Sequence, residues 1–241
     1  MDRAAYASMN AQEGEHWWFV ARRAIIDSLI AAHIPLGPDA RILEAGCGTG
    51  GNLALLAHHG TLDALEYDAD ARALATARGI GRIEAGALPG AIGFGETRYD
   101  MIALLDVLEH VDEDVASLGA LGERLAAGGR MLVTVPAVPW LWSDHDVLHH
   151  HKRRYTQDGL SAVARNAGLT VQASGYFNSL LFPLAMAQRM AHQLLRRAAP
   201  LDARPSPTVN AALQRVFAAE RHMLGRVNFP IGLSLYAVLS D

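Results

Sequence analysis

Short apolar runs alternate with helix-like segments from residue 40 onward, and this alternation constrains the fold more than any other feature. The helix-like segments lie near 51–59, 70–78 and 113–127, between successive apolar runs. Because neighbouring parallel strands require a crossover of about a dozen residues, apolar strands at this spacing indicate βαβ units and a parallel sheet. The sequence therefore predicts an α/β protein with a doubly wound core. The five runs predicted as its strands are RILEAG, LDALEY, GRIEAG, YDMIALLD and RMLVTVP.

Four parts can be distinguished along the chain. The first contains a helix over about 14–33, which the proline- and glycine-containing segment HIPLGPDA ends. Beyond the five strands, a helix is predicted over 156–168 and a strand at LTVQASGY, while IGLSLYAVLS closes the chain with strand composition. The predicted parts are an N-terminal helical lid at 1–38, the core at 39–176, a helical insert at 177–227 and a final edge strand at 228–241.

The composition excludes several classes of protein. Of the 241 residues, 51% are apolar and 19% are charged, which is typical of a globular chain. The formal net charge of -4 argues against nucleic acid as the partner. The single cysteine, Cys47, cannot form an internal disulfide, and the N-terminus lacks the apolar core of a secretion signal, so we expect a cytoplasmic protein. A membrane span needs roughly twenty apolar residues, and the best candidate, from residue 177, has about ten before Arg189.

A glycine-rich loop, ILEAGCGTGGN, joins the first predicted strand to a helix. Glycine lets the backbone turn sharply and approach a ligand that rests on the loop and the helix N-terminus. Gly46, Gly48 and Gly51 match the G-x-G-x-x-G pattern of dinucleotide sites. With Gly50 in the third place, the loop matches the G-x-G-x-G pattern of methyl-donor sites instead. Both patterns require an acidic residue about twenty positions further on, and Glu66 at the end of the second strand supplies it.

A carboxylate two residues before the first glycine favours the methyl-donor pattern. Glu44 lies at the end of the first predicted strand, where it would attract the ammonium group of a methionine moiety and repel a pyrophosphate. Attraction between unit charges in a partly desolvated cleft is on the order of a few kcal/mol, so the sign of this charge discriminates between the two ligands. The alternative is that Glu44 is a solvated residue at a strand end.

Four ordered motifs resemble those of the class I S-adenosylmethionine-dependent methyltransferases. They are ILEAGCGTGGN, LEYDADA, YDMIALLDVLEHVDED and AAGGRMLVTVPA, and the resemblance covers about 40–175. It implies a Rossmann-like, doubly wound, seven-stranded and mostly parallel sheet, with N-terminal helices and a helical insert before the last strand. It also implies S-adenosylmethionine as the cofactor that donates the methyl group.

Carried over by position, the resemblance implies a set of donor-binding residues. The loop glycines would shape the pocket for the methionine part, Glu66 would accept hydrogen bonds from the ribose hydroxyls, and Tyr67 would lie against the adenine. The acid that the family usually has after the third strand is missing from EAGALPG, so backbone groups, or Glu84 in a shifted register, would contact the adenine. Cys47 is a small loop residue, or a thiol nucleophile that lacks a clear activating neighbour. The implied core positions are Glu44, Gly46, Cys47, Gly48, Gly50, Glu66, Tyr67, Ala87, Leu88, Asp106 and Val107.

Two further segments, HWWFVARR and HDVLHHHKRRYT, resemble a bacterial branch of the same superfamily that has no single defined substrate. The aromatic residues of the first segment predict either core packing or a lid over the donor. In the lid interpretation, Trp18 covers the donor and Arg22 or Arg23 pairs with its carboxylate. We assign Trp18 and Arg23 to the donor site.

The segment from 145 to 155 holds four of the eleven histidines beside a basic run, and it admits four interpretations. Adjacent loop residues rarely converge on one ion, so we predict no metal there. Histidine suits a general base near neutral pH, because its unperturbed pKa is about 6.5. Arg153 and Arg154 would alternatively grip an anionic substrate that Tyr155 orients, or only form ion pairs near the next helix. The donors considered for a metal are Asp144, His145, Asp146 and His149 to His151, and the predicted catalytic residues are His145, His151 and Tyr155.

These features predict methyl transfer from S-adenosylmethionine to a small-molecule, sugar or lipid-linked acceptor, at oxygen because a histidine base would be useful there. The insert at 177–227 is the predicted acceptor-binding element. Its apolar start precedes Arg189, Arg196 and Arg197, a combination suited to peripheral membrane contact or to lid packing. Two alternatives stay open: an NAD-dependent oxidoreductase, which Glu44 disfavours, and a non-catalytic module that binds S-adenosylmethionine.

Overall fold

The computed structural model describes residues 9–187 and 205–241. The predicted N-terminal helix is present as α1, Trp17–His33. The ring of His16 caps it by accepting a hydrogen bond from a backbone N–H of its first turn, and the chain becomes extended at Ile34.

Seven strands form one sheet, and each of the runs predicted as strands contributes one of them. The strands are β1 Arg41–Ala45, β2 Thr61–Glu66, β3 Arg82–Ala85, β4 Tyr99–Leu105, β5 Leu125–Pro136, β6 Thr170–Phe177 and β7 Ser234–Ser240. Apolar and fully buried positions dominate β4 and the second half of β5, as expected of strands covered on both faces.

Helices connect these strands, and the predicted helix over 113–127 ends early because β5 begins at Leu125. Residues 182–187 are also helical. The rest of the predicted insert up to 204, including Arg189, Arg196 and Arg197, lies outside the described residues. The helices are α2 Leu53–Ala57, α3 Ala69–Ala77, α4 Asp114–Gly122, α5 Asp144–Leu148, α6 Gln157–Asn166 and α7 Pro207–Ala219, with 3₁₀ turns at Leu108–His110, Pro139–Leu141 and Glu220–His222.

The sheet has the order β3-β2-β1-β4-β5-β7-β6, with the first five strands parallel and β7 antiparallel to both of its neighbours. This order confirms the predicted doubly wound, mostly parallel α/β sheet. The prediction that the last strand lies at the edge is wrong, because β7 is inserted between β5 and β6 and all its residues are buried. Its composition indicates a strand, but its place depends on β6, which covers its outer side.

Two apolar clusters cover opposite faces of the sheet, because alternate residues of each strand point to opposite sides. Leu118 of α4 and Leu160 of α6 belong to one cluster, and Ile25 of α1 and Phe217 of α7 belong to the other. Helices α1 and α7 contact each other, since the rings of Trp17 and Phe217 lie 6.0 Å apart. The N-terminal helix α1 and helix α7 therefore form one layer.

The carboxyl ends of the parallel strands meet at one edge of the sheet, where open α/β sheets bind ligands. The glycine loop follows β1, Glu66 ends β2, Asp106 follows β4, and the segment 145–155 follows β5. The topology thus brings the residues singled out in the sequence to one edge. In the described part of the chain, every helix is too short or too polar to cross a bilayer.

Candidate functional site

The glycine loop has the backbone conformation that its glycines permit. Gly46, Gly48 and Gly50 have φ angles of +83°, +54° and +87°, in the left-handed region that side chains disfavour. The backbone N–H groups of Gly46 and Cys47 donate to the Leu65 carbonyl at 2.9 and 3.0 Å, which ties the loop to β2.

Gly46 is also required by a close approach of the loop to the chain after β4. A Cβ atom at this position would lie 2.7 Å from Cγ2 of Val107, closer than real Cβ contacts allow. The predicted residue Val107 therefore touches the loop directly, and the loop path leaves no room for a side chain at Gly46.

Glu66 is held in a fixed position at the end of β2. Its two carboxylate oxygens accept hydrogen bonds from the backbone N–H groups of Gly48 and Asp68, both at 2.8 Å, and the residue is 7% exposed. Each oxygen retains a second acceptor position, because a carboxylate offers about four. The next residue, Tyr67, has an 80% exposed side chain. This pair thus presents a rigid acceptor and a free aromatic face at the sheet edge.

Glu44 is buried with half of its carboxylate unsatisfied. Asn52 donates a hydrogen bond to Oε1 at 2.9 Å, whereas Oε2 is buried without a hydrogen-bond partner. Burial raises the pKa of Glu44 to about 7, although the bond from Asn52 and the nearby Arg22 oppose the shift. The alternative of a solvated Glu44 is therefore excluded, and Oε2 is an acceptor that a cationic or N–H-bearing ligand would satisfy.

Arg22 projects from α1 toward the same edge and is 5% exposed. Its Nη2 lies 2.6 Å from Oδ2 of Asp106 and donates to Oγ1 of Thr134 at 3.2 Å. Its guanidinium carbon lies 5.3 Å from the ring centroid of Trp18, within the range of a cation–π contact. Helix α1 therefore reaches the chain after β4 through Arg22, and Trp18 lies beside that ion pair.

Arg23 points elsewhere. Its guanidinium donates to the backbone carbonyls of Glu13 and Gly51, at 2.7 and 3.5 Å, and burial lowers its pKa. It lines a cleft of about 580 Å³ together with Glu13, Gly51, Asp27 and Arg78. Because that cleft does not include the other donor-site residues, Arg23 stays a prediction, and Arg22 is the arginine that joins the site.

Two residues of the site were not identified in the sequence. Asn52, which bonds Glu44, ends the glycine-loop motif, so its position in the motif was a usable signal. Thr134, whose hydroxyl donates to Asp106 at 3.2 Å, lies inside the apolar run of β5. A single hydroxyl residue between Val133 and Val135, within the apolar run MLVTVP, was the signal for it.

The surroundings of Cys47 disfavour the thiolate form. It is buried, and burial raises its pKa far above the ordinary value, with the charges of Glu44 and Glu66 adding to the effect. A thiol that stays protonated fits the prediction of a small loop residue rather than a catalytic one.

The residues Ala87 and Leu88 after β3, and Glu84 within it, have contacts inside the chain itself. Ala87 exchanges both of its backbone hydrogen bonds with Ala91, at 2.8 and 2.7 Å, so its N–H and C=O already have partners. Leu88 packs against the core. Glu84 pairs with Leu65 in the sheet, without a register shift toward Glu66, and accepts a hydrogen bond at 3.3 Å within the loop after β3. The predicted contacts of this region with the donor remain predictions.

Asp146 organises the histidine segment, although its side chain is fully buried. It accepts two hydrogen bonds from the guanidinium of Arg154, at 2.7 and 3.0 Å, and two from Ser143. Nδ1 of His151 lies 3.0 Å from its Oδ1. Burial alone would raise the pKa of Asp146, but the bonds from His151 and Arg154 outweigh it and hold that pKa well below the usual range.

The basic residues of the segment pair with acids of the chain itself. Arg153 lies 2.7 Å from Oδ2 of Asp114, the first residue of α4, and Lys152 pairs with Asp112. The Tyr155 hydroxyl donates to Asp114 at 3.0 Å, and the residue is 4% exposed. This arrangement matches the ion-pair interpretation, and both guanidinium groups that an anion clamp would use already have carboxylate partners.

The two predicted catalytic histidines differ in how well they are placed. The side chain of His145, in α5, lies outside the described residues. His151 connects the segment to the chain after β4, because its Nε2 lies 4.0 Å from Oε1 of Glu109 and its ring centroid 4.8 Å from that of His110. Burial, and then the charge of Asp106, raise the pKa of Glu109 well above the usual range. The segment therefore reaches the site through His151.

Comparison with known proteins agrees with this geometry. A family described as methyltransferase domain matches residues 15–174, which include the glycine loop, Glu66 and the histidine segment. No curated protein sequence matches the chain.

Solved structures of similar fold cover most of the chain at low sequence identity. A methyltransferase from Haloferax volcanii, in complex with the Trm112 methyltransferase activator, is 17% identical with a TM-score of 0.63, over 98% of this chain and 94% of that one. An S-adenosylmethionine-dependent methyltransferase from Archaeoglobus fulgidus is 17% identical with a TM-score of 0.56, over 91% and 94%. Phosphoethanolamine N-methyltransferase 2 of Haemonchus contortus, in complex with S-adenosylmethionine, is 12% identical with a TM-score of 0.60, over 90% of this chain and 52% of that one.

Proposed function

The chain belongs to the methyltransferase domain family, with S-adenosylmethionine as methyl donor, and we propose that it methylates an oxygen atom of a small-molecule, sugar or lipid-linked acceptor. The observation that carries the proposal is the buried Oε2 of Glu44, which has no hydrogen-bond partner. It lies in the strand that leads into the glycine loop, and Glu66 fixes that loop by accepting a hydrogen bond from the N–H of Gly48. A buried acceptor without a partner has a free-energy cost that a bound ammonium group would remove.

The residues of the donor site fit the chemical parts of this cofactor. We assign the ammonium group to Glu44, the ribose hydroxyls to Glu66 and the adenine to the exposed face of Tyr67. The left-handed glycines let the backbone approach the methionine part. When bound, the cofactor supplies a methyl group on a positively charged sulfur, so the protein needs only to align the acceptor with it.

Helix α1 completes the donor side. We propose that Arg22 binds the carboxylate of the donor, because it lies at the site and, besides the pair of its Nη2 with Asp106, its Nε is buried without a hydrogen-bond partner. Trp18 would shield this ion pair from water, which strengthens it. Asp106 and Val107 would line the pocket at the end of β4.

An exposed apolar surface supports a hydrophobic acceptor. Trp140 and Trp142 after β5, and Leu180 and Leu184 at the start of the insert, have side chains that are 64%, 43%, 41% and 55% exposed. The rings of Trp140 and Phe182 lie 6.5 Å apart, so the two segments are adjacent. Contiguous exposed apolar residues mark binding surfaces, and these follow the strand ends where the donor would lie.

Transfer to oxygen requires that the acceptor loses a proton. We propose that a histidine of the segment 145–155 accepts it. His151 is the candidate whose side-chain contacts the structure describes, and His145 is a candidate from the sequence alone. Asp146 holds the His151 ring through Nδ1 and leaves Nε2 facing Glu109. A ring oriented in this way is typical of a histidine that transfers protons or binds a ligand through its second nitrogen.

Calorimetric titration with S-adenosylmethionine and S-adenosylhomocysteine tests the donor site. We expect micromolar binding by the wild type, and a loss of about 100-fold or more in Glu66→Gln, because that change weakens both the loop anchor and the ribose contact. Glu123→Gln is the matched control, since Glu123 is exposed at the opposite edge of the sheet. Equal affinity in both variants would remove Glu66 from the site.

Two further measurements separate the alternatives. Titration with NAD and NADH should give no binding heat, and tight binding would revive the oxidoreductase. Formation of S-adenosylhomocysteine with a panel of hydroxylated sugars and lipid-linked acceptors tests turnover. Donor binding without turnover of any acceptor would favour the non-catalytic module.

Sedimentation with anionic liposomes at low salt tests the proposed membrane contact. We expect wild type and Val209→Ser to sediment, and Trp140→Ser to remain in the supernatant, because Val209 is exposed on α7 and Trp140 lies on the apolar surface. Wild type that stays in the supernatant would limit the acceptor to soluble molecules.

A further inference from the structure

Three side chains that could bind a metal ion converge after β4. Glu109, His110 and His151 each offer one ligand atom, and these atoms all lie within 4.8 Å of one another. Two of these residues belong to the 3₁₀ turn Leu108–His110 and the third to the histidine segment. We propose that they form a binding site for a divalent transition-metal ion of the Zn²⁺ type.

Glu109 provides the first independent argument. The residue is 1% exposed, and its Oε2 is buried without a hydrogen-bond partner. A buried carboxylate oxygen is normally satisfied by a donor or a cation. The nearest ring nitrogen in this group, Nε2 of His151, lies 4.0 Å from Oε1 of Glu109, too far for a hydrogen bond. An ion coordinated by Glu109 through Oε2 would satisfy this oxygen.

The outer contact of His151 matches that of a metal ligand. Nδ1 of His151 faces the Asp146 carboxylate at 3.0 Å, and Asp146 is itself fixed by two bonds from Arg154. A carboxylate or a carbonyl on one ring nitrogen orients a histidine so that the other nitrogen coordinates the metal.

The donor set selects the class of metal. Two imidazoles and one carboxylate suit Zn²⁺, Fe²⁺, Mn²⁺ or Co²⁺, whereas Mg²⁺ and Ca²⁺ prefer oxygen ligands. Ligand atoms about 2.1 Å from one ion lie about 3 to 3.5 Å apart, so the group needs to contract by about 1 to 2 Å, which side-chain rotation allows. Three protein ligands leave a coordination position open.

The earlier expectation that no metal binds the histidine segment rested on adjacent residues of one loop. The group described here takes only His151 from that segment and two ligands from another strand end. A use of the ion in methyl transfer, toward an acceptor oxygen, rests on the proposed function, whereas binding of the ion does not. In that case Nε2 of His151 coordinates the ion and does not act as the base.

Metal content of the purified full chain tests the site. The protein is stripped with a chelator, dialysed against Zn²⁺, and analysed by mass spectrometry for bound metal. We expect about one zinc ion per chain, and a loss of about 10- to 100-fold in affinity in His151→Gln and in Glu109→Gln. His58→Gln is the control, because His58 is exposed at the end of α2. Wild-type protein that binds no zinc, or variants that bind it as tightly, would overturn the proposal.

X-ray absorption of the zinc-loaded wild type keeps the test decisive if a variant does not fold. We expect scattering from two imidazoles and from light oxygen ligands, without sulfur. A sulfur shell from Cys47, or an oxygen-only shell, would place the ion elsewhere. Titration of the same samples with S-adenosylmethionine separates the two proposals, since failure of zinc binding with intact donor binding overturns only the metal site.

Discussion

Glu44 and Asp146 are both buried carboxylates, Glu44 near the end of β1 and Asp146 in the segment after β5, but they differ in how many hydrogen bonds they accept. Asp146 accepts five hydrogen bonds from Arg154, Ser143 and His151, and its pKa is held low. Glu44 accepts one, has an unsatisfied Oε2, and has a pKa raised to about 7. The chain itself satisfies both oxygens of Asp146. It leaves Oε2 of Glu44 to be satisfied by a ligand.

This difference separates structural from functional acids. A carboxylate with every oxygen satisfied and paired with a buried guanidinium fixes the loop in which it lies, because removing one partner leaves the other charge buried and unpaired. A carboxylate that is equally buried but half satisfied lowers stability until a ligand binds, and such groups cluster at functional sites. Burial alone would not have distinguished Glu44 from Asp146, whereas the number of hydrogen-bond partners does.

The largest effect is expected from Asp146→Asn. The change leaves the Arg154 guanidinium, which is 7% exposed, without a compensating charge, so the free energy of unfolding should fall by about 3 to 5 kcal/mol. Urea unfolding measures it. Asp112→Asn is the control, because Asp112 is 75% exposed and its pair with Lys152 should contribute about 1 kcal/mol or less. Equal losses in both variants would show that the buried pair of Asp146 contributes no more than the exposed pair of Asp112, and would contradict the structural role given to Asp146.

Gly46→Ala in the glycine loop should cause the next largest loss in the free energy of unfolding. Gly46→Ala combines a positive φ with a Cβ atom 2.7 Å from Val107, so we expect a loss of about 2 to 4 kcal/mol. Gly48→Ala also has a positive φ but has open space, and should lose only about 1 to 2 kcal/mol. Adding Val107→Ala to Gly46→Ala should restore part of the difference, and no restoration would show that the clash is not the cause.

The raised pKa of Glu44 predicts a dependence of stability on pH. Because the folded pKa of about 7 lies above the ordinary 4.5, the folded state binds the proton more tightly, and its stability falls as pH rises through 7. Between pH 5 and pH 8 the wild type should lose about 2 to 3 kcal/mol more than Glu44→Gln in unfolding measurements. Saturating S-adenosylmethionine should reduce this loss, because the bound cation favours the carboxylate. Parallel pH profiles of the two proteins would contradict the assignment.

The strands were predictable because their apolar runs are local. All seven appear, including β6 and β7, whose compositions match strands. The place of β7 inside the sheet was not predictable, since it depends on a pairing with β6 across more than fifty residues. The glycine loop, Glu44 and Glu66 were also found from local spacing, and the structure brings them together.

Contacts between distant segments account for what the sequence left undecided. Arg22 and Arg23 are adjacent on α1, and only the packing of that helix directs Arg22 to Asp106 and Arg23 to Gly51. In the same way, His151 meets Glu109 because the segment folds back onto the chain after β4. The histidine pattern predicted a catalytic base or local ion pairs, and the contact of His151 with Glu109 at another strand end had no local signal.

Tyr155 gives the smallest expected effect and the sharpest choice between a structural and a catalytic role. Its hydroxyl donates to Asp114 at 3.0 Å, so Tyr155→Phe should lower the free energy of unfolding by about 1 to 2 kcal/mol and leave the rate of S-adenosylhomocysteine formation unchanged. In an Asp114→Asn background the same change should cost less, because the bond to a charged acceptor is already lost. A fall in rate of about 100-fold with unchanged stability would instead support general-acid or general-base catalysis by Tyr155, as the sequence predicts. It would then show that a fully paired side chain in this segment can still serve the reaction.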